Sequence, residues 1–202
     1  YIFKAERKAA RLPQGLMSIV PKQVERVAVV GGGLMGTGIA TAFLTRGFSV
    51  LLVEKNTDLM ERSLQTIIRM SQITAELGRA KIPGINIVST KDWLQGEPGL
   101  CGAYMTEKGQ SEDDKDEFFT HALQRVDLVI ESVNEDLELK KKVFEQLDKV
   151  CRPGTFICSN TSTIDVDELA GVTKRPRRVA TLHFFNPAYH ISIVEIAKSK
   201  FT

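Results

Sequence analysis

At 202 residues the chain is long enough to bury a full core, and 27 Lys and Arg against 25 Asp and Glu leave a net charge of only +2. That balance is too even to support a nucleic-acid or anionic-membrane partner. The apolar runs Val27–Val30, Val50–Val53 and Leu128–Ile130 are far too short to span a bilayer and suit buried strands. Cys101, Cys151 and Cys158 form no metal-binding spacing and leave an odd thiol, so they read as small core residues in a reducing compartment. No metal site is expected.

The chain begins at Tyr1 rather than Met and ends, through Lys198 to Thr202, directly after a strand-like run, as a piece of something longer does. Ile2 to Leu12 is basic and helix-prone, and Pro13, Gly15 and Pro21 break it. Residues 1–23 are therefore expected to form a linker helix ahead of a domain spanning 24–202. In that domain Val27–Val30 predicts a buried strand and Leu34–Arg46 a helix capped by Gly47. Ser49–Val53 predicts a second strand, and Asp58 to about Leu77 a long amphipathic helix. Gly78 to Thr120 carries scattered glycines and the acidic run from Ser111 to Asp114. One strand near Ile85–Val88 is expected there, the rest of 78–120 being an irregular or partly disordered insertion.

The alternation then resumes. Asp127–Glu131 predicts a strand, Leu137–Val150 a helix, Phe156–Ser159 a strand and Asp165–Ala170 a short helix. Val179–His183 and Ile191–Ala197 predict two further strands. Alternating units with near-continuous apolar strands imply an α/β fold: a doubly wound, mostly parallel Rossmann-type sheet covered on both faces.

Gly31-Gly32-Gly33-Leu34-Met35-Gly36 fits G-x-G-x-x-G between a hydrophobic strand and a helix, the context that phosphate binding needs. Gly31 suits the tight turn, Gly33 close approach to a pyrophosphate, and Gly36 helix–strand packing, while the helix N-terminus supplies partial positive charge. Glu54 ends the second strand about 20 residues on, where a carboxylate accepts ribose hydroxyls and repels a 2′-phosphate. NAD is thus favoured over NADP. The competing reading of these residues is a glycine turn beside a surface Glu54–Lys55 pair.

Of the three histidines, His121 lies in the irregular stretch and His190 in a polar turn. His183 closes an apolar strand, and Glu195 sits within another, Ile193-Val194-Glu195-Ile196. A carboxylate among aliphatic residues is costly unless paired. A hairpin about Tyr189 sets the two face to face, where the carboxylate fixes the imidazole tautomer and raises its basicity. A purely structural strand-end histidine is equally open on spacing alone.

Four segments, GGGLMGTGIA, DLVIESVNEDLELKKKVF, CSNTSTI and HFFNPAYHISIVEI, together resemble the 3-hydroxyacyl-CoA dehydrogenases over Val24–Met70 and Val126–Ala197. The basic lead-in AERKAARLPQG resembles the linker ahead of this domain in peroxisomal bifunctional hydratase/dehydrogenases. The resemblance implies NAD-dependent oxidation of L-3-hydroxyacyl-CoA thioesters, with His183 as base, Glu195 as its partner and Ser162 bonding the reacting oxygen. It also implies cofactor contacts at Asn186, Glu135 and Lys140. On their own terms Glu135 and Lys140 are an ordinary charged helix start, and Ser162 equally suits a helix N-cap before Asp165. The family's acyl-CoA contacts fall on Met70 and Leu77, which do not carry them over. A C-terminal helical domain that forms a homodimer is implied beyond this chain, so the fragment is expected to bind NAD with little activity alone. The location implied is the peroxisome, with the mitochondrion as alternative. Rival readings are a relative acting on sugar acids, and a silent nucleotide-binding or scaffolding module.

Overall fold

The computed structural model describes residues 21–80, 87–95, 98–104 and 119–202; the linker helix expected at the front lies outside them. The elements in chain order begin with β1 (Arg26–Val30), α1 (Leu34–Leu44), β2 (Ser49–Glu54) and α2 (Thr57–Glu76). They continue through α3 (Thr90–Gln95), β3 (Leu100–Tyr104), β4 (Leu128–Glu131) and α4 (Leu137–Val150). The last are β5 (Phe156–Ser159), α5 (Val166–Gly171), β6 (Val179–Phe184) and β7 (Val194–Lys198). One seven-stranded sheet runs β3-β2-β1-β4-β5-β6-β7. Every neighbouring pair is parallel except β6 and β7, which are antiparallel.

Strand side chains alternate between two faces, and each face has its own core. Ala28, Val30, Leu51 and Val53 point to the side covered by Val143, Phe144 and Leu147 of α4. Val27, Val29, Val50 and Leu52 point the other way, onto Ile39 and Leu44 of α1 and Met60 and Ile67 of α2. This two-sided burial is why the strands read as unbroken apolar runs. All three cysteines are buried, and burial pushes each thiol up to about 12. They remain protonated and inert at neutral pH.

Caps set the helix ends. Asn56 caps α2 by accepting from the Leu59 N–H, and Asp136 caps α4 through the Leu139 N–H. After α1 the chain turns at Gly47 (φ +94°), with the Gly47 N–H on the Leu44 carbonyl and the Phe48 N–H on that of Phe43. The Phe43 and Phe48 rings meet edge to face at 5.2 Å across this turn, the apolar contact that accompanies such a C-terminal motif.

The stretch 78–120, expected to be irregular, is corrected in part. It holds α3 and β3, and β3 is a full strand of the sheet, paired with β2 from Val50↔Leu100 to Glu54↔Tyr104. Of the strand expected at Ile85–Val88, residues 85 and 86 lie outside those described, and Ile87 makes a single parallel bridge to Leu100. Glycines conceal β3 in the sequence. At Gly102 a Cβ would sit 3.2 Å from the Met60 sulfur, so the lack of a side chain lets α2 lie close over the strand. Trp93 anchors α3, fully buried with the Arg26 guanidinium 4.7 Å above its ring.

Candidate active site

The strand order reverses between β2-β1 and β4-β5, so the crevice between the C-terminal ends of β1 and β4 is the topological switch point where open α/β sheets bind ligands. The glycine turn lies there. Gly31 adopts φ +104°, and a Cβ on it would lie 2.6 Å from the Ser132 carbonyl oxygen in the loop after β4. A Cβ on Gly36 would lie 1.9 Å from the Gly31 carbonyl oxygen, so α1 rests directly on the turn. Gly33 is the N-cap of α1 with no side-chain cap, and a Cβ there would meet nothing within 4 Å. Open space faces the helix N-terminus, where the first-turn N–H groups of Leu34, Met35 and Gly36 lack helical partners.

Glu54, 8 % exposed, does more than the sequence suggested. Its Oε2 accepts the Gly32 N–H at 2.8 Å, and its Oε1 accepts those of Lys55 and Asn56 at 2.8 and 3.0 Å. A carboxylate offers about four acceptor positions, so about one remains for a ligand hydroxyl. Ser63 of α2, unnoticed in the sequence, donates to the Gly32 carbonyl at 2.6 Å and holds the same loop from below. Beside them opens a cavity of about 620 Å³, lined by Gly31, Gly33, Glu54, Arg62, Ser132 and Asn134 among others. A volume of this size suits part of a dinucleotide. Uncapped helix, open glycine and acidic strand end together fit NAD.

At the other half of the sheet, β6 and β7 pair His183 directly with Glu195, as the hairpin expectation required. His183 Nδ1 lies 2.9 Å from Glu195 Oε2. An ionised carboxylate only accepts, so Nδ1 carries the proton and Nε2 keeps its lone pair free. The Phe185 ring packs on the imidazole with centroids 4.8 Å apart. Ser159 of β5 is in register with Thr181 of β6, so the Ser162 turn and His183 leave the sheet at the same end. Ser162 is exposed, and the cap of α5 is Asp165, which accepts the Asp167 N–H at 2.9 Å. The N-cap reading of Ser162 is thereby removed. Asn186 is exposed at the head of the hairpin loop, joined to Pro187 by a cis peptide bond.

Glu135 and Lys140 belong to a network the sequence reading missed. Lys140 is 1 % exposed and donates to Glu131 Oε1 at 2.7 Å and to the Val133 carbonyl at 3.2 Å. Its ammonium also lies 3.3 Å from Glu135. The Lys140 charge is thus enclosed by protein in an internal ion pair. Glu131, fully buried, also accepts from Ser159 Oγ at 2.6 Å and the Val133 N–H at 2.7 Å. Glu135 Oε1 accepts from the hydroxyls of Thr161 and Thr163. Burial alone raises the Glu135 pKa, but the two threonine hydroxyls and Lys140 outweigh it, and the carboxyl is held below the ordinary glutamate value. The sequence signal for this network was a charge at the end of an apolar strand, Leu128-Val129-Ile130-Glu131, with a lysine one helix entry away.

Glycine turn, acidic strand end and switch-point crevice define a dinucleotide-binding Rossmann domain. The model of the 3-hydroxyacyl-CoA dehydrogenase NAD-binding domain matches residues 26–95 and 105–202, and the chain belongs to that family. It is similar to the peroxisomal bifunctional enzyme of Danio rerio, at 38% identity over 97% of this chain and 24% of that protein. It thus spans about a quarter of the length of this curated relative. Among solved structures it is similar to 3-hydroxybutyryl-CoA dehydrogenase from Escherichia coli K12, at 33% identity and TM-score 0.64 over 87% of this chain and 32% of that one. It is also similar to the dehydrogenase part of multifunctional enzyme 1 from C. elegans, at 30% identity and TM-score 0.62 over 88% of this chain and 36% of that one.

Gly36→Ala tests the turn. Its Cβ meets backbone rather than a flexible side chain, so stability should fall by about 3 kcal/mol, the upper end for overpacking, and NAD affinity should fall with it. A wild-type urea midpoint would contradict the packing described.

Proposed function

We propose that this domain serves the reversible oxidation of L-3-hydroxyacyl-CoA to 3-oxoacyl-CoA, with NAD as hydride acceptor, in a longer β-oxidation enzyme. The observation that carries the reading is the His183–Glu195 pair at 2.9 Å, at the same end of the sheet as the glycine turn. His183 Nε2 takes the proton of the 3-hydroxyl as the C3–H pair departs as hydride. Glu195 accepts from Nδ1 and stabilises the imidazolium that results. Ser162 donates to the reacting oxygen and aims it. Asn186 and Glu135 border the cofactor, while Glu54 receives the adenosine ribose. NAD supplies the redox chemistry, and the protein supplies geometry and electrostatics.

The names of relatives such as the peroxisomal bifunctional enzyme of Danio rerio support a peroxisomal site for the parent protein. For the longer parent protein the reading includes a further C-terminal domain through which the enzyme forms a homodimer. No helix among the described residues is long and apolar enough to cross a membrane.

NAD should bind more tightly than NADP, because a 2′-phosphate would face the Glu54 carboxylate. Glu54→Ala should weaken NAD and relax the preference, since it removes both the ribose acceptor and the bond to Gly32. Calorimetry giving NADP equal or higher affinity would sink the assignment.

In the full-length enzyme His183→Gln should lower turnover by about 10²–10⁴-fold, the range for a positioned general base, and leave NAD binding nearly intact. Glu195→Gln should act the same way more mildly. The pair should be non-additive, because the two residues work as one unit. A well-folded His183→Gln enzyme with near wild-type turnover removes the catalytic reading.

A further inference from the structure

We infer that Glu131, which takes no part in the proposed reaction, is a positioning residue that fixes the Ser162 hydroxyl through Lys140 and Glu135. The inference rests on the role proposed above for Ser162.

The chain of contacts is continuous. Glu131 binds Lys140 at 2.7 Å, and Lys140 reaches Glu135 at 3.3 Å. Glu135 then receives the hydroxyls of Thr161 and Thr163. Those two threonines flank Ser162 in sequence, so one carboxylate oxygen grips the turn on both sides of it. The Ser162 side chain is left exposed at the tip. Below the turn, Glu131 Oε2 takes the Ser159 hydroxyl, and Ser159 Oγ accepts the Thr161 N–H at 3.2 Å. The base of the turn and its rim are thus tied to the same buried carboxylate by two separate routes.

Glu131 reaches the cofactor side as well. Its Oε1 accepts the Val133 N–H, and Val133 lines the cavity beside the glycine turn. One buried carboxylate therefore sets the loop after β4, which borders the cofactor, relative to the loop after β5, which carries Ser162.

The charges explain why a neutral residue does not substitute. Lys140 is enclosed, with Glu131 as its short partner and Glu135 as its longer one. Without the Glu131 charge, the buried ammonium has Glu135 alone to neutralise it. Glu135 is then drawn inward, away from Thr161 and Thr163, and the Ser162 turn loses its grip. Small displacements of a positioning group are enough to lower turnover strongly.

The test uses full-length enzyme at saturating NAD, with kcat, KM for acyl-CoA and melting temperature measured together. Glu131→Gln should lower kcat by roughly 10–100-fold with KM little changed. Combined with Ser162→Ala, it should add almost nothing to the loss from Ser162→Ala alone, because both act at one hydroxyl. Glu131→Gln together with Lys140→Met removes both buried charges; it should regain melting temperature yet stay slow. Thr163→Val cuts the last link at an exposed position and should give a smaller fall in kcat with a wild-type melting temperature. Recovery of kcat along with stability in the neutral pair would overturn the inference, as would losses that multiply in the Ser162→Ala double mutant. A wild-type kcat for Ser162→Ala would instead remove the role of Ser162 itself, and this inference with it. Multiplying losses with an impaired Ser162→Ala leave the proposed reaction standing and reject only the link to Glu131.

Discussion

Two opposite charges cut off from water, on Glu131 and Lys140, hold the centre of the molecule together. Glu131 is 0 % exposed and Lys140 1 %, and removing either alone from such a pair costs about 3–5 kcal/mol. Yet an apolar pair of similar volume is often as stable or more so, so stability alone does not explain why the charges are there. Position does. Glu131 ends the strand on one side of the switch point, and Lys140 enters the helix that covers it. Between them they fix the backbone of Val133, the Ser159 hydroxyl and the Glu135 carboxylate. An apolar pair would fill the same space and tie down none of these.

The glycine turn depends on that fixed frame. Gly31 lies against the Ser132 carbonyl, one residue from Glu131, and Gly36 lies against Gly31. Strand β4, the turn and α1 therefore stack with no side chain between them. Glu54 closes the stack from β2 by taking the Gly32 N–H. Its carboxylate thus holds the loop and keeps about one acceptor position open. Backbone packed this closely has little freedom to reorganise when a pyrophosphate arrives, and preorganisation of that kind lowers the cost of binding.

How much of this was legible in the sequence follows from where each signal is stored. Leu137–Val150 and Phe156–Ser159 emerge with the bounds expected of them, because a cap at Asp136 and unbroken apolar runs are local features. Strand β3 was hidden because Gly99 and Gly102 flank and interrupt a short segment whose strand character comes from pairing with β2. Helix α3 was hidden because six residues hold too little periodicity, and a single buried Trp93 anchors them. At the site, Gly31, Gly33 and Gly36 were legible since their spacing is the mechanism. His183 and Glu195 were legible as a pair because a hairpin about Tyr189 sets them opposite; the burial cost that singled out Glu195 in the sequence is absent, since every residue of β7 is exposed. The ion pair of Lys140 with Glu131 was not legible. Its burial depends on how α4 folds back over the end of β4 and the loop that follows, where Glu131 and Val133 receive the ammonium, and nothing in a charged helix start reports that.

The His183–Glu195 pair shows what an antiparallel edge adds to an otherwise parallel sheet. Parallel neighbours need a long crossover, whereas a hairpin brings two residues directly opposite over a short loop. Register then decides everything, because a slip of one residue turns every side chain to the other face. Val194 or Ile196 would stand against His183, and Nδ1 would lose its acceptor. Glu195 is 67% exposed in its side chain, against 22% for His183. Water weakens, without abolishing, the attraction between a carboxylate so placed and an imidazolium. What it gives the imidazole is above all a tautomer: Nδ1 is committed to a fixed acceptor and Nε2 is left with its lone pair, on a residue at the end of the sheet where the cofactor turn and the Ser162 turn also lie.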